Sequence, residues 1–259
     1  MGENKSLPAP RRGLSRGAEP GIKNGFRLDV VVNNIPGRSG FATGWGNAFL
    51  IRGGGACVLF DTGCEGPLLL GNLKKLGVSP GKIGVVVLSH NHWDHTGGLW
   101  ALLACSGKVR VFMPAMFPEA FRKKVRAAGG LVVSIKGPRK IAEGIYSGGQ
   151  LRGRKWEHAL VLKSSAGPVL ITGCAHPGIV SVAERCAKLF GKPYLLAGGF
   201  HLKDSSAAQI GAVIARLRRL GVRKVAPNHC TGALAIKKFR AAWGRDFIKA
   251  ACGFSIKTP

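Results

Sequence analysis

One short segment constrains the fold and the chemistry of this chain more than any other. The wholly apolar run Gly84–Leu88 is typical of a strand buried on both faces, and it leads directly into the polar segment Ser89–His95. Four residues of metal-binding type share six positions there: His90, His92, Asp94 and His95. Alternate residues of an extended segment point the same way, so the first two can bind one cation, and the last two a second cation after a turn. The segment predicts a metal site at the end of a buried strand.

Imidazole and carboxylate groups are ligands that zinc prefers, and manganese and iron also accept them. Two ions about 3.5–4 Å apart can share a hydroxide, lower its pKa and polarise a phosphoryl or carbonyl oxygen. We therefore expect one or two zinc ions, with manganese or iron as alternatives. Such a site needs further ligands, and His176 and His229 are candidates because each follows a predicted strand.

Three other positions are candidates for the same site. Asp61 ends a predicted strand, where its carboxylate can orient a ligand imidazole or can belong to an ordinary Asp-Thr-Gly turn, and the spacing does not choose between them. His201 also follows a predicted strand, and His158 opens another. Strand ends on a rigid sheet can present side chains to a common point, so we expect these residues near the metal ligands.

The charge of the chain is unusual. Its 39 lysines and arginines outnumber 12 acidic residues, which gives a formal net charge of +27. Residues 1–24 contain only five basic and two acidic residues, so residues 25–259 carry most of the excess. A positive field of this size attracts anions, which predicts a phosphorylated small-molecule substrate and leaves nucleic acid open as a partner of the basic surface.

Composition also suggests the organisation of the chain. Residues 1–24 lack the apolar core of a secretory signal, and we interpret them as a flexible basic tail before a domain that spans residues 25–259. No apolar run reaches the roughly 18 residues that span a bilayer, which predicts no membrane partner. The seven cysteines are odd in number and form no CxxC pair, as expected in a reducing cytoplasm. The sequence does not indicate an oligomeric state.

Hydrophobic periodicity predicts an α/β fold in which strands come first and strands and helices then alternate. The pattern favours one domain of two packed sheets with helices outside. The predicted strands are Leu28–Val32, Asn47–Ile51, Val58–Phe60, Gly84–Leu88, Val109–Met113, Ala159–Leu162, Val169–Thr172, Tyr194–Ala197 and Lys224–Ala226, and the predicted helices are Pro67–Leu76, Thr96–Ala104, Pro118–Ala128, Gly178–Phe190, Ser206–Leu220 and Gly232–Trp243. Residues 129–155 predict only short strands and a loop.

Several blocks of the sequence resemble a known family. The segment Ser89–Gly98 resembles the HxHxDH signature of the metallo-β-lactamase superfamily, and Leu59–Gly63 resembles its upstream Asp motif. Three later blocks resemble the branch named after 7,8-dihydropterin-6-methyl-4-(β-D-ribofuranosyl)aminobenzene 5′-phosphate synthase, an activity of methanopterin biosynthesis. These blocks are Ile171–Ile179, Gly198–Leu202 and Pro227–Gly232. The resemblance runs from about Leu28 to the C-terminus.

This resemblance implies an αββα sandwich of two packed mixed sheets flanked by helices, with metal at one edge of the sheets. It implies that His90, His92 and His176 hold one metal, and that Asp94, His95 and His229 hold the other. Asp61 would orient a ligand, Asp94 would also act in catalysis, and His201 would be a substrate contact or proton donor.

The chain also departs from the family pattern. Many superfamily hydrolases place a bridging Asp after the strand that corresponds to Val169–Thr172, and no such carboxylate is evident here. The branch usually has an acidic residue followed by Gln where this chain has Glu157 and His158, which makes these two residues additional candidates for a ligand or a pocket residue. We interpret Cys174 and Cys230, which lie next to candidate ligands, as packing residues rather than thiolate ligands.

Three functions follow from these observations. The first is the branch activity, which joins a dihydropterin diphosphate to a ribofuranosyl arylamine phosphate by metal-assisted displacement. The second is a hydrolase that uses a metal-bound hydroxide on a phosphodiester (including RNA), β-lactam, lactone or thioester. The third is a basic nucleic-acid-binding protein with a vestigial site. Only metal-dependent turnover separates the first two from the third.

Overall fold

The computed structural model describes residues 25–259, and the tail predicted for residues 1–24 lies outside them. The strands of this part of the chain are β1 (Arg27–Asn33), β2 (Asn47–Gly53), β3 (Ala56–Phe60), β4 (Val85–Val87), β5 (Arg110–Pro114), β6 (Leu131–Ile135), β7 (Arg139–Ala142), β8 (Ile145–Ser147), β9 (Leu151–Arg152), β10 (Trp156–Glu157), β11 (Leu160–Ser164), β12 (Gly167–Thr172), β13 (Leu195–Gly199), β14 (Lys224–Asn228) and β15 (Ser255–Lys257). The helices are α1 (Gly66–Lys75), α2 (Trp93–Thr96), α3 (Leu99–Cys105), α4 (Glu119–Ala127), α5 (Ile179–Phe190), α6 (Ala207–Arg219) and α7 (Ala233–Trp243).

Every strand and helix predicted from the sequence is present. The helix predicted from Thr96 is interrupted, because a single turn, α2, precedes α3. Residues 129–155 form four short strands, β6 to β9, and β15 adds a three-residue edge strand that has no periodicity to reveal it. Tertiary pairing alone creates β15, which lies antiparallel to β1 across more than 200 residues of sequence.

The strands form two mixed sheets and a small hairpin. The first sheet has the order β15-β1-β2-β3-β4-β5-β6, and its β3 to β6 segment is parallel. The second has the order β14-β13-β12-β11-β8-β7, and its β12 to β14 segment is parallel. Strands β9 and β10 pair with each other outside both sheets. The predicted arrangement of two packed mixed sheets is confirmed.

Alternation of side chains along the strands creates three apolar layers. On β4, Val85 and Val87 join the core between the two sheets, whereas Val86 packs beneath the helices of the first sheet. On β11, Leu160 and Leu162 join the same central core, and Val161 packs beneath the helices of the second sheet. Because each sheet buries both faces, its central strands are apolar throughout, as the run before Ser89 predicts. The result is the αββα layering.

The carboxyl ends of the parallel strands lie at one edge of the sandwich. Asp61 follows β3, the segment Ser89–His95 follows β4, and His176, His201 and His229 follow β12, β13 and β14. Parallel strands point the same way, so side chains that follow them meet at a single edge. Among the described residues, no helix is long and apolar enough to cross a membrane.

Candidate metal centre

The loops at this edge contain strained backbone. Among residues 25–259, four residues other than glycine have a left-handed φ, and all four lie at the strand ends: Asp61 (58°), Ala175 (59°), His201 (53°) and His229 (50°). Such conformations cost about 1–3 kcal/mol each and persist only where surrounding packing imposes them. They direct the side chains of three candidate residues inward. Their concentration at one edge indicates that this edge is the functional site.

The first group of candidate ligands consists of His90, His92 and His176. The His90 Nε2 atom lies 3.0 Å from the His92 Nδ1 atom. The His176 ring centroid is 4.6 Å from that of His90 and 4.9 Å from that of His92. Both ring nitrogens of His176 are buried and have no hydrogen-bond partner. A buried imidazole without a partner is costly unless something else satisfies it, so the donor set fits a bound cation.

Burial and mutual repulsion keep these imidazoles neutral. Burial, together with the neighbouring His95, lowers the pKa of His90 well below its ordinary value. Burial, together with the neighbouring His201, lowers the pKa of His176 to about 3. A metal binds the neutral imidazole, and a low pKa therefore keeps the ring ready as a ligand at neutral pH.

The second group of candidate ligands surrounds Asp94. One Asp94 carboxylate oxygen, Oδ2, lies 3.2 Å from the His229 Nε2 atom and 3.5 Å from the His95 Nε2 atom. Burial opposes ionisation of Asp94, but hydrogen bonds from His229 and His95 outweigh it and hold the pKa of this carboxyl below its usual range. The carboxylate is therefore ionised at neutral pH, as a metal ligand must be.

Cys174 lies between the two groups. Its Sγ atom is 3.3 Å from the His95 Nε2 atom. The thiol belongs to three sets of potential ligand atoms that lie within 4.8 Å of one another: one with His90 and His176, one with His95 and His229, and one with His201 and Cys230. The sequence interpretation treated Cys174 as a packing residue, but the fold brings its thiol among the candidate ligands. It occupies the space between the groups, where the sequence supplies no carboxylate.

Asp61 is buried directly behind the second group. Its carboxylate accepts hydrogen bonds from the Ser89 amide and hydroxyl, both at 2.7 Å, and lies 2.7 Å from the His95 Nδ1 atom. Burial would lower the pKa of His95, but the Asp61 carboxylate outweighs it and raises that pKa to about 10, so a metal would have to displace the proton from His95 Nε2. The contact holds the His95 ring so that Nε2 points toward Asp94. A Cβ atom at Gly173 would lie 2.0 Å from the Ser89 hydroxyl, so only glycine allows this approach.

Glu157 contacts the loop that follows β12 and carries Cys174, Ala175 and His176. Its Oε1 atom accepts hydrogen bonds from the amides of Cys174 and Ala175, both at 2.9 Å, and its Oε2 atom accepts one from the His176 amide at 2.7 Å. The side chain is buried, and both oxygens are occupied by the backbone. Glu157 therefore holds the loop that carries two candidate ligands, and the structure does not place it among the ligand atoms themselves.

His158 lies apart from the cluster. Its Nδ1 atom is 2.6 Å from the Ser147 hydroxyl, and its Nε2 atom is 3.0 Å from the Leu88 carbonyl oxygen. Both ring nitrogens are therefore occupied, which leaves none for a metal. Burial lowers the pKa of this ring to about 4. Its position favours a structural role that ties β11 to the end of β4.

This burial predicts a pH dependence of stability. Only the unfolded chain binds the His158 proton between its ordinary pKa of 6.5 and its folded pKa of about 4. The free energy of unfolding must therefore fall as the pH falls through that range, by about 1.36 kcal/mol per pH unit. From pH 7 to pH 4.5, we expect the wild type to lose roughly 2 kcal/mol more than His158→Gln in urea unfolding. Equal losses in the two proteins would show that His158 titrates normally.

His201 lies next to the first group, where the sequence predicts it. Its ring centroid is 4.4 Å from that of His176, and its Nδ1 atom is buried without a hydrogen-bond partner. The nearby Cys230 thiol raises the pKa of His201. The Sγ atoms of Cys174 and Cys230 and a ring nitrogen of His201 lie within 4.8 Å of one another. An imidazole here can accept or release a proton beside the candidate ligands.

Sequence reasoning missed several residues around the cluster. The Asn34 Oδ1 atom is 3.2 Å from the His229 Nδ1 atom. The Trp45 ring centroid is 5.0 Å from that of His229, and the Lys203 ammonium lies 5.4 Å from the Trp45 ring centroid. A half-exposed aromatic ring with a cation above it can contact an aromatic anion. No motif marks these residues, because tertiary folding alone brings them to His229.

A cavity of about 670 Å³ lies on the Asn34 side of His229. Its wall is largely apolar and includes Ile35, Ile236 and Phe247, while Lys237 and Arg240 supply positive charge. His229 directs its Nε2 atom toward Asp94 and its Nδ1 atom toward Asn34. The cavity is therefore reached from the side of His229 that faces away from the candidate metal ligands.

The fold and the site agree with the comparisons to known proteins. The family model described as the Metallo-beta-lactamase superfamily matches residues 44–128, a range that includes the segment Ser89–His95. The crystal structure of Tm1679, a metal-dependent hydrolase of the β-lactamase superfamily, has a TM-score of 0.76 and 25% identity, and the match covers 90% of this chain and 99% of that one. Human tRNase Z, short form, has a TM-score of 0.59 at 15% identity, covering 90% and 99%. The described residues have the metallo-β-lactamase fold, and residues 44–128 match the model of that superfamily, as the sequence predicts.

Among curated proteins, the chain is similar to a named enzyme. The 7,8-dihydropterin-6-methyl-4-(β-D-ribofuranosyl)-aminobenzene-5′-phosphate synthase of Methanocaldococcus jannaschii is 29% identical over 246 residues, covering 77% of this chain and 84% of the relative. An uncharacterized protein of the same organism is 27% identical over 243 residues, covering 82% and 93%. The predicted resemblance to this branch is therefore confirmed.

Proposed function

We propose that this chain is a metal-dependent enzyme that joins a dihydropterin diphosphate to a ribofuranosyl arylamine phosphate. The observation that carries the metal dependence is the His176 ring, which has two buried nitrogens without partners and lies within 5 Å of the rings of His90 and His92. The choice of reaction is supported by the similarity to the named synthase over most of both chains. The net charge of +27 suits two anionic substrates.

Two sets of residues would hold metal, most simply zinc, with manganese or iron as alternatives. His90, His92 and His176 would form one set, and Asp94, His95 and His229 the other, with the Cys174 thiol between them. Bound metal would supply positive charge to stabilise the departing diphosphate. Imidazole and thiolate ligands favour zinc over magnesium or calcium, which prefer oxygen ligands.

The proposed reaction balances without a further reactant. The arylamine nitrogen lone pair forms a bond to the methylene carbon of the dihydropterin, and the C–O bond to diphosphate breaks with its electrons on the diphosphate. The arylamine nitrogen then releases a proton. His201, whose ring lies beside that of His176, would exchange a proton with substrate through its imidazole. Asp61 would keep His95 in the orientation that the site needs.

A hydrolase is the second candidate. It is supported by the superposition on Tm1679, a metal-dependent hydrolase, at a TM-score of 0.76. The same ligand groups serve water as well as an amine nucleophile, so the difference lies in the substrate. The seven cysteines of residues 25–259 are all free thiols, which supports the further proposal that the protein works in a reducing cytoplasm.

The deciding experiment is a turnover assay in three arms with metal-reconstituted protein. The first arm contains the dihydropterin diphosphate and the arylamine and follows diphosphate release, the second contains a bis-aryl phosphodiester, and the third a structured RNA. We expect diphosphate release that requires both substrates and stops on chelation. Cleavage in the second or third arm alone would establish the hydrolase instead. RNA binding without turnover that survives combined His90→Ala and His92→Ala would indicate a vestigial site.

A further inference from the structure

A second, smaller pocket begins at the segment Ser89–His95. Its volume is about 310 Å³, and it lies between Asn91, Met116 and the turn Arg152–Lys155. Asn91 stands between His90 and His92 in the sequence, so the pocket adjoins the first group of candidate ligands. Pockets for small ligands start near this size, whereas a nucleic-acid strand requires an extended groove. The pocket is therefore suited to a small chemical group positioned next to the metal.

The turn and the strand β10 that follows it both contact the loop that carries Cys174 and His176. The Gly153 amide donates to the Lys155 carbonyl at 3.1 Å, which closes the turn between β9 and β10. A Cβ atom at Gly153 would lie 2.4 Å from the His176 carbonyl oxygen, so glycine permits direct backbone packing against the loop. Glu157, at the end of β10, holds the same loop through its three amide contacts. These contacts hold the turn in a fixed position relative to Cys174 and His176.

The turn carries uncompensated positive charge. Arg152, Arg154 and Lys155 are exposed, and none of the three forms an ion pair with an acidic residue among residues 25–259. Arg154 and Lys155 line the same pocket as Asn91, which lies between His90 and His92 in the sequence. A ligand in this pocket can therefore contact the turn and lie beside the first group of candidate ligands. Arginine and lysine together at such a point favour phosphate oxygens.

We propose that the pocket formed by Asn91 and the turn Arg152–Lys155 binds the diphosphate group of the substrate. This proposal rests on the proposed function. The pocket contacts the diphosphate on the side away from the metal, so that Arg154 and Lys155 share its negative charge with the metal. The cations would also retain the diphosphate while its bond to carbon breaks. Arg154 and Lys155 thus determine specificity for a diphosphate over an uncharged leaving group.

The test measures binding of inorganic diphosphate to the full-length, zinc-loaded protein by isothermal titration calorimetry. The double variant Arg154→Ala/Lys155→Ala is compared with Lys188→Ala/Arg219→Ala, which removes the same charge from exposed positions on the helices α5 and α6. We expect the first variant to bind diphosphate at least about tenfold more weakly than the second, as for loss of charge-assisted hydrogen bonds. Arg154→Lys/Lys155→Arg, which keeps both charges, should retain most of the affinity.

Two further arms separate the sources of phosphate. The Arg154→Ala/Lys155→Ala variant should lose less affinity for orthophosphate than for diphosphate, because orthophosphate cannot reach the metal and the turn together. Both alanine variants should lose the same affinity for a single-stranded RNA. Equal diphosphate affinity of the two variants would overturn the proposal, as would a loss confined to RNA. Binding needs no turnover, so a negative synthase assay would not change the binding result. Equal diphosphate binding by the two variants would overturn the pocket proposal but would not contradict the proposed reaction.

Discussion

Asp94→Ala is expected to lower kcat/KM by more than the ~10–100-fold that loss of an orienting partner of a ligand typically costs. Asp94 supplies the only carboxylate oxygen that lies within 3.5 Å of both the His95 and His229 rings among the described residues. Its removal leaves two imidazoles without their shared negative charge, so metal content should fall together with activity. Turnover and bound metal, measured by elemental analysis after reconstitution and dialysis, check this expectation.

The matched control is Glu184→Ala. This exposed acid, on α5, forms an ion pair with Arg216 and is remote from the strand ends. Removing it changes the net charge by the same amount as Asp94→Ala, but metal content and kcat/KM should stay close to those of the wild type. If Asp94→Ala retained both full metal content and activity, Asp94 would not be a ligand and the proposed second set of ligands would be wrong.

Glu157→Gln should lower the free energy of unfolding of the protein. The carboxylate accepts three amide hydrogen bonds, from Cys174, Ala175 and His176, in a fully buried position. In the variant, an NH₂ group faces at least one amide donor, so a charged hydrogen bond worth about 1.5–3 kcal/mol is lost and replaced by a donor–donor contact. Urea unfolding should show a decrease of this size or more.

The same substitution should weaken metal binding, because the loop that Glu157 holds carries two candidate ligands. We expect metal affinity to fall by ~10–100-fold, the usual cost of losing a residue that positions ligands. Competition with a chromophoric chelator measures it. Glu143→Gln is the control, since Glu143 is exposed and forms an ion pair with Lys140. Unchanged stability and unchanged metal affinity in Glu157→Gln would mean that the loop keeps its shape without the carboxylate.

Two features of the fold were predictable because they depend on local pattern. Wholly apolar runs such as Val85–Val87 occur where both faces of a strand are buried, and this burial is observed. Polar residues that directly follow such strands must lie at the sheet edge, which is why His90, His176 and His229 could be identified without a structure. The resemblance to the superfamily then assigned these residues to one site.

Three features of the site depended on contacts that no local pattern encodes. The Cys174 thiol was interpreted as packing because a lone cysteine is usually buried for that reason, yet it lies 3.3 Å from the His95 Nε2 atom. In the sequence, the neighbours Glu157 and His158 are both candidates for a ligand or a pocket residue, with nothing to distinguish them. The structure directs Glu157 to the amides of the loop that follows β12 and His158 to Ser147 and Leu88.

The sequence by itself determined which residues follow the parallel strands, and therefore which histidines and aspartates lie at their common edge. Strand and helix periods are local, because they follow from burial along a few residues. Only the tertiary structure decided which loops touch: the turn Arg152–Lys155 against His176, and Trp45 against His229. Those contacts join residues far apart in the chain, and their geometry comes from the packing of two whole sheets rather than from any local preference.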